Sequence, residues 1–382
     1  IKMKYLLIFL RILVGVLFIF SGLIKANDPL GLSYKMTEFF EVLHMTAFIP
    51  MALVFSICMI AFEIIAGVAV ILGYAYELFS FLLLLLIALF TFLTAYALFT
   101  GNIKECGCFG DCIKISNTET FVKDVALFVF IVVLFVYRKK VTSLFSKQVS
   151  IFLLVVVSVV SFGIQFYVLK HLPFKDCLAY KVGNNIEEKM KVPPGAIPDQ
   201  FETVMIYEKN GKQQSFTMQN YPWQDTTWKF VDSKTQLVKK GNAEPEIKGF
   251  AVNDVDGNDY TTAILQEAAP TFILFVKDPA TAHEDKMKEA ADLLKSATQQ
   301  GAACYIFSSG SKEVTQAFQK KWGLEGIQMM QFDGTESKTA MRSNPGLMLL
   351  QKGTITKKWG YADFPSTCTI KDGAVIIPTT VN

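Results

Sequence analysis

Charge is scarce in the first half of this chain. Residues 1–170 contain 22 charged side chains, 13 of them Lys or Arg, whereas residues 171–382 contain 49. Charged residues therefore make up 13% of the first region and 23% of the second, against the ~25% that soluble domains usually contain. This division excludes a single globular domain, a disordered protein and a disulfide-rich miniprotein.

The sequence also lacks a basic excess and has little histidine. The net charge is +3 over 382 residues, and no basic stripe interleaved with aromatic residues occurs, which disfavours nucleic-acid binding. The three histidines, His44, His171 and His283, have no partners at metal-ligand spacing. No phosphate-binding glycine loop and no serine–histidine–aspartate arrangement is visible. We therefore expect no metal and no nucleic-acid partner.

Five long apolar runs account for the low charge. Four are long enough to cross a hydrocarbon core of about 30 Å. The fourth run is shorter and has Lys123 and Asp124 near its start, but it can span if both side chains lie at the interface. No small-residue cleavage site follows the first run, which argues against a signal peptide. We predict five transmembrane helices, at Tyr5–Ile24, Pro50–Leu72, Leu78–Phe99, Phe121–Tyr137 and Val149–Leu169.

Two basic clusters predict how these helices are oriented. If all five runs span, the clusters lie on one side, and the positive-inside rule makes that side the cytoplasm. The N-terminus is then cytoplasmic in a bacterial inner membrane. Loops 25–49 and 100–120, and the chain after residue 170, then face the periplasm. The clusters are Lys2 and Lys4 before the first run, and Arg138, Lys139, Lys140 and Lys147 between the fourth and fifth runs.

The segments outside these runs carry their own patterns. Leu32, Met36, Phe39, Phe40 and Leu43 recur at helical spacing and predict an amphipathic helix at the membrane surface, with Pro50 starting the next helix. Asn210-Gly211 lies between two strand-like runs and predicts a β-hairpin.

Residues 246–364 alternate between strand and helix patterns, which predicts an α/β architecture. The predicted strands are Thr271–Val276, Ala302–Phe307, Leu347–Leu350 and Thr354–Trp359, and the predicted helices are Lys286–Ser296 and Glu313–Trp322.

Three of the seven cysteines crowd into one predicted periplasmic loop. They are Cys106, Cys108 and Cys112, and Cys177 follows the fifth run by a few residues. Cys58 lies in the second run, where we expect a small buried apolar residue, and Cys304 lies in a predicted strand, where we expect the same.

Three interpretations of this loop remain open. In the first it exchanges disulfides: a Cys106–Cys108 bond would close a very small, strained ring, with Cys112 as the resolving thiol. In the second, Cys112 and Cys177 form a structural disulfide, which can coexist with the first. In the third, all four cysteines bind a metal ion, but an oxidising compartment and the lack of a nearby histidine count against this.

Several short motifs in the first half resemble one family. Taken together, over roughly residues 5–137, they are similar to the DoxX / MauE-like group of small membrane proteins. The whole chain resembles the long DoxX-family proteins of Bacteroidota, in which a fifth helix leads to a periplasmic domain. The resemblance implies a four-helix transmembrane bundle over residues 1–145 and a fifth helix over 146–170. The motifs are Phe20-Ser21-Gly22-Leu23-Ile24-Lys25 followed by Asp28-Pro29, Glu63-Ile64-Ile65-Ala66-Gly67, Cys106-Gly107-Cys108-Phe109-Gly110 and Phe121-Val122-Lys123-Asp124.

The same resemblance implies a chemistry. The MauE branch is associated with disulfide formation in an exported partner, by analogy with vitamin K epoxide reductase-like and DsbB-like enzymes. Those enzymes pass electrons from a periplasmic thiol pair to a quinone. The resemblance therefore gives Cys106 and Cys108 the redox role and makes a quinone the candidate cofactor. Such enzymes normally carry a Cys-x-x-Cys pair near the quinone, and no predicted helix of this chain contains one.

Residues 246–382 resemble a thioredoxin-like fold, preceded by a β-rich segment over 171–245. Asn344-Pro345 stands before a strand, where that fold holds a cis-proline. The active Cys-x-x-Cys should follow Thr271–Val276, but Lys277-Asp278-Pro279-Ala280-Thr281-Ala282 stands there. The resemblance implies a redox-inactive domain that binds an extended peptide of a protein partner beside Pro345.

Four ionisable residues lie within or next to the apolar runs: Arg11, Lys25, Glu63 and Asp124. Isolated charges there cost about 2.5–3.5 kcal/mol each. Depth along the helices therefore predicts that Arg11 pairs with Glu63 and that Lys25 pairs with Asp124. The first pair would either fix the helix register or form a proton or ligand site.

The leading hypothesis is a membrane protein that supports thiol–disulfide exchange or redox maintenance of exported proteins through the cysteine loop. Its rival is a non-enzymatic scaffold in an envelope complex, because neither half contains a Cys-x-x-Cys. A third hypothesis is a lipid or quinone binder at Arg11 and Glu63.

Overall fold

A computed structural model describes residues 2–101, 103, 107, 110–113, 115–198, 200–223, 225–239, 241, 243–371 and 373–378. Helices dominate the first half. Single-turn and two-turn 3-10 helices at Thr46–Met51, Gly110–Cys112 and Arg138–Lys140 connect them. The α-helices are α1 (Lys2–Ala26), α2 (Pro29–Val42), α3 (Ala52–Leu72), α4 (Tyr76–Thr100), α5 (Asn117–Val136) and α6 (Lys147–His171).

The apolar composition of this half matches a membrane environment. Large apolar side chains such as Phe9, Phe92 and Phe152 are exposed on the outer faces of the helices, which a water-soluble bundle does not tolerate. Among the described residues, four helical spans are long and apolar enough to cross a membrane. They confirm the first, second, third and fifth predicted spans, whereas α5 is not among them. These spans are Met3–Ala26, Thr46–Leu72, Tyr76–Thr100 and Lys147–His171.

Helices α1 and α3 pack through glycine. A Cβ atom added to Gly67 would lie 2.8 Å from the backbone oxygen of Gly15, and one added to Gly15 would lie 2.8 Å from the backbone oxygen of Gly67. Only glycine permits this approach, and small residues are what membrane helices use to pack closely. The contact sets the register between α1 and α3.

Helix α2 is the predicted amphipathic helix. The Asp28 carboxylate accepts a hydrogen bond from the backbone N–H of Gly31 at 3.0 Å and caps the helix, and Pro29 occupies the first turn. The helix lies across the bundle end where α1 finishes and α3 begins. Pro50 does not start the next helix as expected. It lies in the 3-10 turn Thr46–Met51, and α3 begins at Ala52.

After α6 the chain forms a short helix and a small antiparallel sheet. These are α7 (Ile186–Lys189), β1 (Gln200–Lys209), β2 (Lys212–Phe216) and β3 (Lys229–Lys239), in the sheet order β2-β1-β3. Asn210 and Gly211 form the turn between β1 and β2 with φ angles of 51° and 75°, which most side chains avoid. The hairpin predicted from Asn210-Gly211 is confirmed.

A six-stranded sheet forms the core of the C-terminal region, in the order β4-β7-β6-β5-β8-β9. Strands β5, β6 and β7 are parallel, and β8 and β9 are antiparallel additions beside β5. The strands of this sheet are β4 (Val252–Asn253), β5 (Thr271–Val276), β6 (Ala303–Ser308), β7 (Gln328–Phe332), β8 (Gly346–Gln351) and β9 (Thr354–Gly360). The helices of this region are α8 (Thr261–Leu265), α9 (Met287–Gln299), α10 (Lys312–Trp322) and α11 (Gly334–Ala340). The chain then forms a hairpin from β10 (Thr369–Lys371) and β11 (Ala374–Ile376).

This region has a thioredoxin-like fold. Apolar layers cover both faces of the sheet, because alternate β5 residues point in opposite directions: Phe272 and Leu274 pack towards α9, and Ile273 and Phe275 pack on the other face. The Asn344–Pro345 peptide bond in front of β8 is cis. The predicted α/β order of strands and helices and the predicted place of the cis-proline are confirmed.

The α1–α3 contact can be tested with one matched pair of variants. We expect Gly67→Leu to destabilise the bundle by about 1–3 kcal/mol, because the added atoms meet backbone that cannot move away. Circular dichroism of the detergent-purified protein during heating measures the change. Gly163→Leu is the control, since a Cβ atom there meets nothing within 4 Å. Equal melting temperatures for the two variants would contradict the packing argument.

Candidate functional site

A disulfide joins the cysteine loop to the chain that leaves α6. Cys112 ends the 3-10 turn before α5, Cys177 follows α6, and their Cα atoms are 4.9 Å apart. This is the pairing named in the second interpretation. The four-thiolate metal site of the third interpretation is incompatible with it, because two of the four sulfurs are bonded to each other. Cys106 and Cys108 lie outside the described residues, so their redox role stays a prediction.

One buried arginine lies at the centre of the same region. Arg342 Nε is 2.8 Å from a carboxylate oxygen of Asp28, and Arg342 Nη2 is 2.6 Å from one of Asp111. Only 7% of the Arg342 side chain is exposed. Asp28 caps α2, and Asp111 directly precedes Cys112. The guanidinium therefore binds the membrane helices and the cysteine loop to the thioredoxin-like domain. We call this region, marked by Asp28, Asp111, Cys112, Cys177 and Arg342, the junction.

The segment around Cys177 is held from both sides. Asn27, between α1 and α2, exchanges two hydrogen bonds with the backbone of Lys175, at 2.9 and 3.1 Å. On the other side Lys358 of β9 lies 2.6 Å from the Asp176 carboxylate and donates to the Tyr180 carbonyl at 3.1 Å. Burial lowers the pKa of Lys358, and Asp176 opposes that shift. Cys177 is thus fixed between the bundle and the domain.

A lysine occupies the place where a thioredoxin-like enzyme would carry its cysteines. Lys277 follows β5, and its Nζ donates to the Tyr34 hydroxyl of α2 and to the Met341 carbonyl, both at 3.2 Å. Burial, together with the charges of Arg342 and Lys338, lowers the pKa of Lys277 to about 7. This edge of the domain therefore faces the membrane helices of its own chain. Pro345, the expected peptide-binding position, is buried there.

Both predicted charge pairs within the bundle are wrong. Lys25 pairs with Glu63, and the two side chains are 2% and 0% exposed. Arg11 donates instead to the backbone oxygens of Ile71 at 3.0 Å and Thr142 at 3.2 Å. Asp124 lies 2.9 Å from Lys123.

The antiparallel register explains the correction. Gly22, not Arg11, lies opposite Glu63 and Ile64. Arg11 is eleven residues away along α1, which is about 16 Å at 1.5 Å per residue, and beyond the reach of its side chain. Arg11 instead meets the C-terminal end of α3, where backbone carbonyls lack helical partners. Lys25, three residues after Gly22, is near enough to reach Glu63. Glu63, Lys25, Lys123 and Asp124 share one small cavity.

An apolar cavity of about 330 Å³ lies next to this charged cluster, between α2, α3 and α4. Lys25 lines one side of it, and Gly107, the residue between Cys106 and Cys108, lines another. Its size and aromatic walls suit a lipophilic ligand. The walls include Met36, Phe39, Phe48, Phe55, Met59 and Phe90.

A second, polar cavity of about 430 Å³ borders the disulfide. Cys177, Asp111 and Arg342 line it, together with Tyr34 and Glu38 of α2. A hydrophilic group can therefore approach Cys177 without entering the membrane helices. The sequence carried no signal for this cavity, because it forms between segments that are far apart in the chain.

The remaining cysteines divide as follows. Cys304 in β6 is buried, as predicted, and Cys368 is buried beside the same core. Cys58 is exposed, so the prediction of a buried residue there is wrong. Helix α3 buries the face that carries Ser56, Ile60 and Glu63, which leaves Cys58 on the outer face.

The junction predicts a large effect of Arg342→Met. This change leaves Asp28 and Asp111 without their cation, and we expect a loss of about 3 kcal/mol, since unpaired buried charges are costly. All four tryptophans lie after residue 222, so their fluorescence during heating reports on the domain. The control is Lys321→Met, which removes an exposed pair with Glu284 and should change stability by less than about 1 kcal/mol. If both variants melt like the parent, Arg342 does not hold the junction.

The comparisons with known proteins address the two halves separately. Residues 3–137 match the family model described as methylamine utilisation protein MauE, and residues 201–240 match a domain of unknown function (DUF8463). No curated protein sequence matches the chain.

Two solved structures are similar to part of the chain. One is a secreted Mycobacterium tuberculosis disulfide oxidoreductase homologous to E. coli DsbE, with 19% identity and a TM-score of 0.24, covering 28% of this chain and 81% of that protein. The other is Xanthomonas campestris peroxiredoxin Q, with 15% identity and a TM-score of 0.23, covering 30% and 82%. The DoxX and Bacteroidota parts of the resemblance stay predictions. The membrane region of this chain, residues 3–137, is MauE-like.

Proposed function

We propose that this chain is a membrane-bound thiol–disulfide redox protein that acts on the thiols of exported proteins. The observation that carries the proposal is the Cys112–Cys177 disulfide at the junction. One of its cysteines, Cys112, belongs to the loop whose sequence also includes Cys106 and Cys108. The disulfide borders a polar cavity that a substrate thiol can enter.

The proposed exchange conserves electrons and protons. A thiolate of a substrate dithiol attacks one sulfur of the Cys112–Cys177 bond, which forms a mixed disulfide and releases the other cysteine as a thiolate. The second substrate thiolate then attacks the substrate sulfur of the mixed disulfide. The substrate leaves as a disulfide, and Cys112 and Cys177 remain as a dithiol that has gained two electrons and two protons.

Reoxidation of this dithiol needs a second disulfide, here between Cys106 and Cys108, which is reduced in the exchange, and a final acceptor that reoxidises it. We propose that Cys106 and Cys108 take over the two electrons by a second exchange. A quinone, when bound, supplies a two-electron acceptor. The apolar cavity suits such a ring because aromatic and methionine side chains line it and because Gly107 borders it. Lys25 would face the polar edge of the ring.

The proposal includes an orientation. Both basic clusters lie at the bundle end away from the junction: Arg11 near the start of α1 donates to Thr142, and the Leu144 N–H donates to the Leu72 carbonyl at 2.9 Å. The positive-inside rule favours a cytoplasmic location for that end. The junction and the thioredoxin-like domain would then be periplasmic, with α5 spanning the membrane in addition to the four helices named above.

We expect the oxidised, detergent-purified protein to convert a reduced peptide dithiol to its disulfide, up to two equivalents without an added acceptor, one for each of the two proposed disulfides. Cys112→Ser and Cys177→Ser should each abolish this activity. Cys106→Ser/Cys108→Ser should keep the first equivalent but lose turnover when a soluble quinone is present. Chromatography measures how much of the peptide is oxidised. Alkylation with a maleimide-polyethylene glycol measures how many thiols of the protein are free.

Cys58→Ser is the matched control, since this thiol lies on the outer face of α3 and should not affect exchange. The redox function is excluded if the peptide stays reduced and the Cys112–Cys177 disulfide can be reduced only in denaturant.

A scaffold is the second candidate. The observation that favours it is that Lys277 stands at the usual active edge and that Tyr34 and Arg342 fix this edge to the bundle. A scaffold would retain its co-purifying proteins and its cellular phenotype in the Cys106→Ser/Cys108→Ser variant. A redox protein would lose the phenotype.

Orientation can be tested in intact cells with single added cysteines. Gln213→Cys, in β2, should react with a membrane-impermeant maleimide, whereas Ser143→Cys, between α5 and α6, should react only after permeabilisation. Labelling of the parent chain measures the background signal from the native cysteines. Labelling of Ser143→Cys alone in intact cells would reverse the proposed orientation.

A further inference from the structure

A third cavity, of about 520 Å³, lies between the membrane helices and the thioredoxin-like domain. One wall is apolar and belongs to the membrane helices: Leu30 of α2, Leu53 of α3, and Phe166 and Leu169 of α6. The opposite wall belongs to the domain and is polar. We call this space the amphipathic cavity. Its two walls suit a ligand with one apolar end and one polar end.

The polar wall is strongly cationic. Lys277, Lys338 and Arg342 of the domain line it, Lys170 at the end of α6 adds a fourth basic side chain, and Asp278 is the one carboxylate among the described lining residues. Arg342 is already paired with Asp28 and Asp111. The Asp278 carboxylate is also engaged, because it accepts hydrogen bonds from the Ala280 N–H and the Thr281 hydroxyl.

The described part of the chain shows no close ion pair for the three lysines that line the cavity. Within the described part of the chain, no carboxylate lies within 4 Å of the ammonium group of Lys170, Lys277 or Lys338. Lys277 donates only to the neutral Tyr34 hydroxyl and the Met341 carbonyl. Burial raises the pKa of Tyr34 to about 12, which keeps that hydroxyl neutral. An anion in the cavity would be attracted by Lys170 and Lys338 and would favour the charged form of Lys277, which burial and the neighbouring cations oppose.

The cavity lies level with the ends of two helices that are long and apolar enough to cross a membrane. Leu169 and Lys170 belong to the last turn of α6, and Leu53 belongs to the first turn of α3. Phe166, one turn deeper in α6, is 55% exposed on the outer face. Tyr167 stacks on Phe174 beside it, at 5.2 Å between ring centroids, as aromatic side chains do at a membrane surface.

We propose that the amphipathic cavity binds an anionic phospholipid, with its phosphate head group at Lys170, Lys277 and Lys338 and an acyl chain along Leu53, Phe166 and Leu169. Basic pockets between membrane helices bind acidic head groups in this way. A peptide fits less well, since Pro345 beside the cavity is buried and the facing wall is membrane helix. The bound lipid would join the domain to the bilayer as well as to the bundle. The proposal does not depend on redox activity.

Lipid binding can be measured on the full chain in a neutral detergent. The probes are dioctanoyl phosphatidylglycerol, dioctanoyl phosphatidylcholine with the same acyl chains, and glycerol 3-phosphate without any. Hydrogen exchange at 277–283 and 338–344 reports on occupancy during titration. We expect saturable protection by the phosphatidylglycerol and binding at least about tenfold weaker for the other two probes.

Variants then locate the site. Lys277→Gln/Lys338→Gln should weaken phosphatidylglycerol binding by about tenfold or more, and Lys170→Gln provides a second test at an exposed position that leaves the junction contacts untouched. The matched control is Lys139→Gln/Lys140→Gln, which removes the same charge at the other end of the bundle and should not change protection at 277–283.

Three results would overturn the proposal. Equal protection by the two lipids would show that charge does not select the ligand, and glycerol 3-phosphate binding as tightly as phosphatidylglycerol would identify a soluble phosphate ligand instead. Unchanged lipid affinity in Lys170→Gln and in the double variant would place the lipid elsewhere. An alkylation assay that finds the Cys112–Cys177 disulfide intact shows that each variant has folded.

Discussion

The buried guanidinium of Arg342 is the interaction on which the arrangement of the two halves depends. A single cation binds one carboxylate at the start of α2 and another next to Cys112. Removing such a charge from water is costly, and two well-placed carboxylates offset that cost. Because the planar guanidinium presents several donors in fixed directions, it also sets the angle between its partners. The position of the cysteine loop relative to the thioredoxin-like domain follows from this geometry.

The thioredoxin-like domain uses its usual reactive edge as a contact surface. Lys277 replaces the expected thiol and reaches Tyr34 of α2, and the backbone of Gly360 lies so close to the end of α6 that a Cβ atom would meet the Lys170 carbonyl at 2.6 Å. The disulfide and its polar cavity lie beside this surface rather than within the domain. The Cys112–Cys177 disulfide thus lies where the helical half and the domain meet.

Local sequence patterns predicted the elements of the fold well. Long apolar runs, the Asn210-Gly211 turn and the largely apolar strand β5 depend on neighbouring residues alone, and each was found where expected. Contacts between distant residues were predicted less well. Depth along a helix placed Arg11 near Glu63, but depth does not specify rotation or register, and the Gly15–Gly67 contact that sets the register has no charge to reveal it.

Arg342 illustrates the same limit in the soluble half. In the sequence it is one of many basic residues in a region of ordinary composition, and its partners are more than 200 positions away. Only folding brings Asp28 and Asp111 to it. The Cys112–Cys177 pairing was one open alternative, because cysteine spacing does not determine connectivity.

The disulfide has a topological consequence. It joins a residue before α5 to a residue after α6, with a sequence separation of 65, so that α5, α6 and the turn between them form one closed covalent ring. A protease that cuts the chain between Arg138 and Lys147 would open this ring without dividing the molecule. The bundle and the domain would stay covalently linked through sulfur alone, and they would separate only when that bond is reduced.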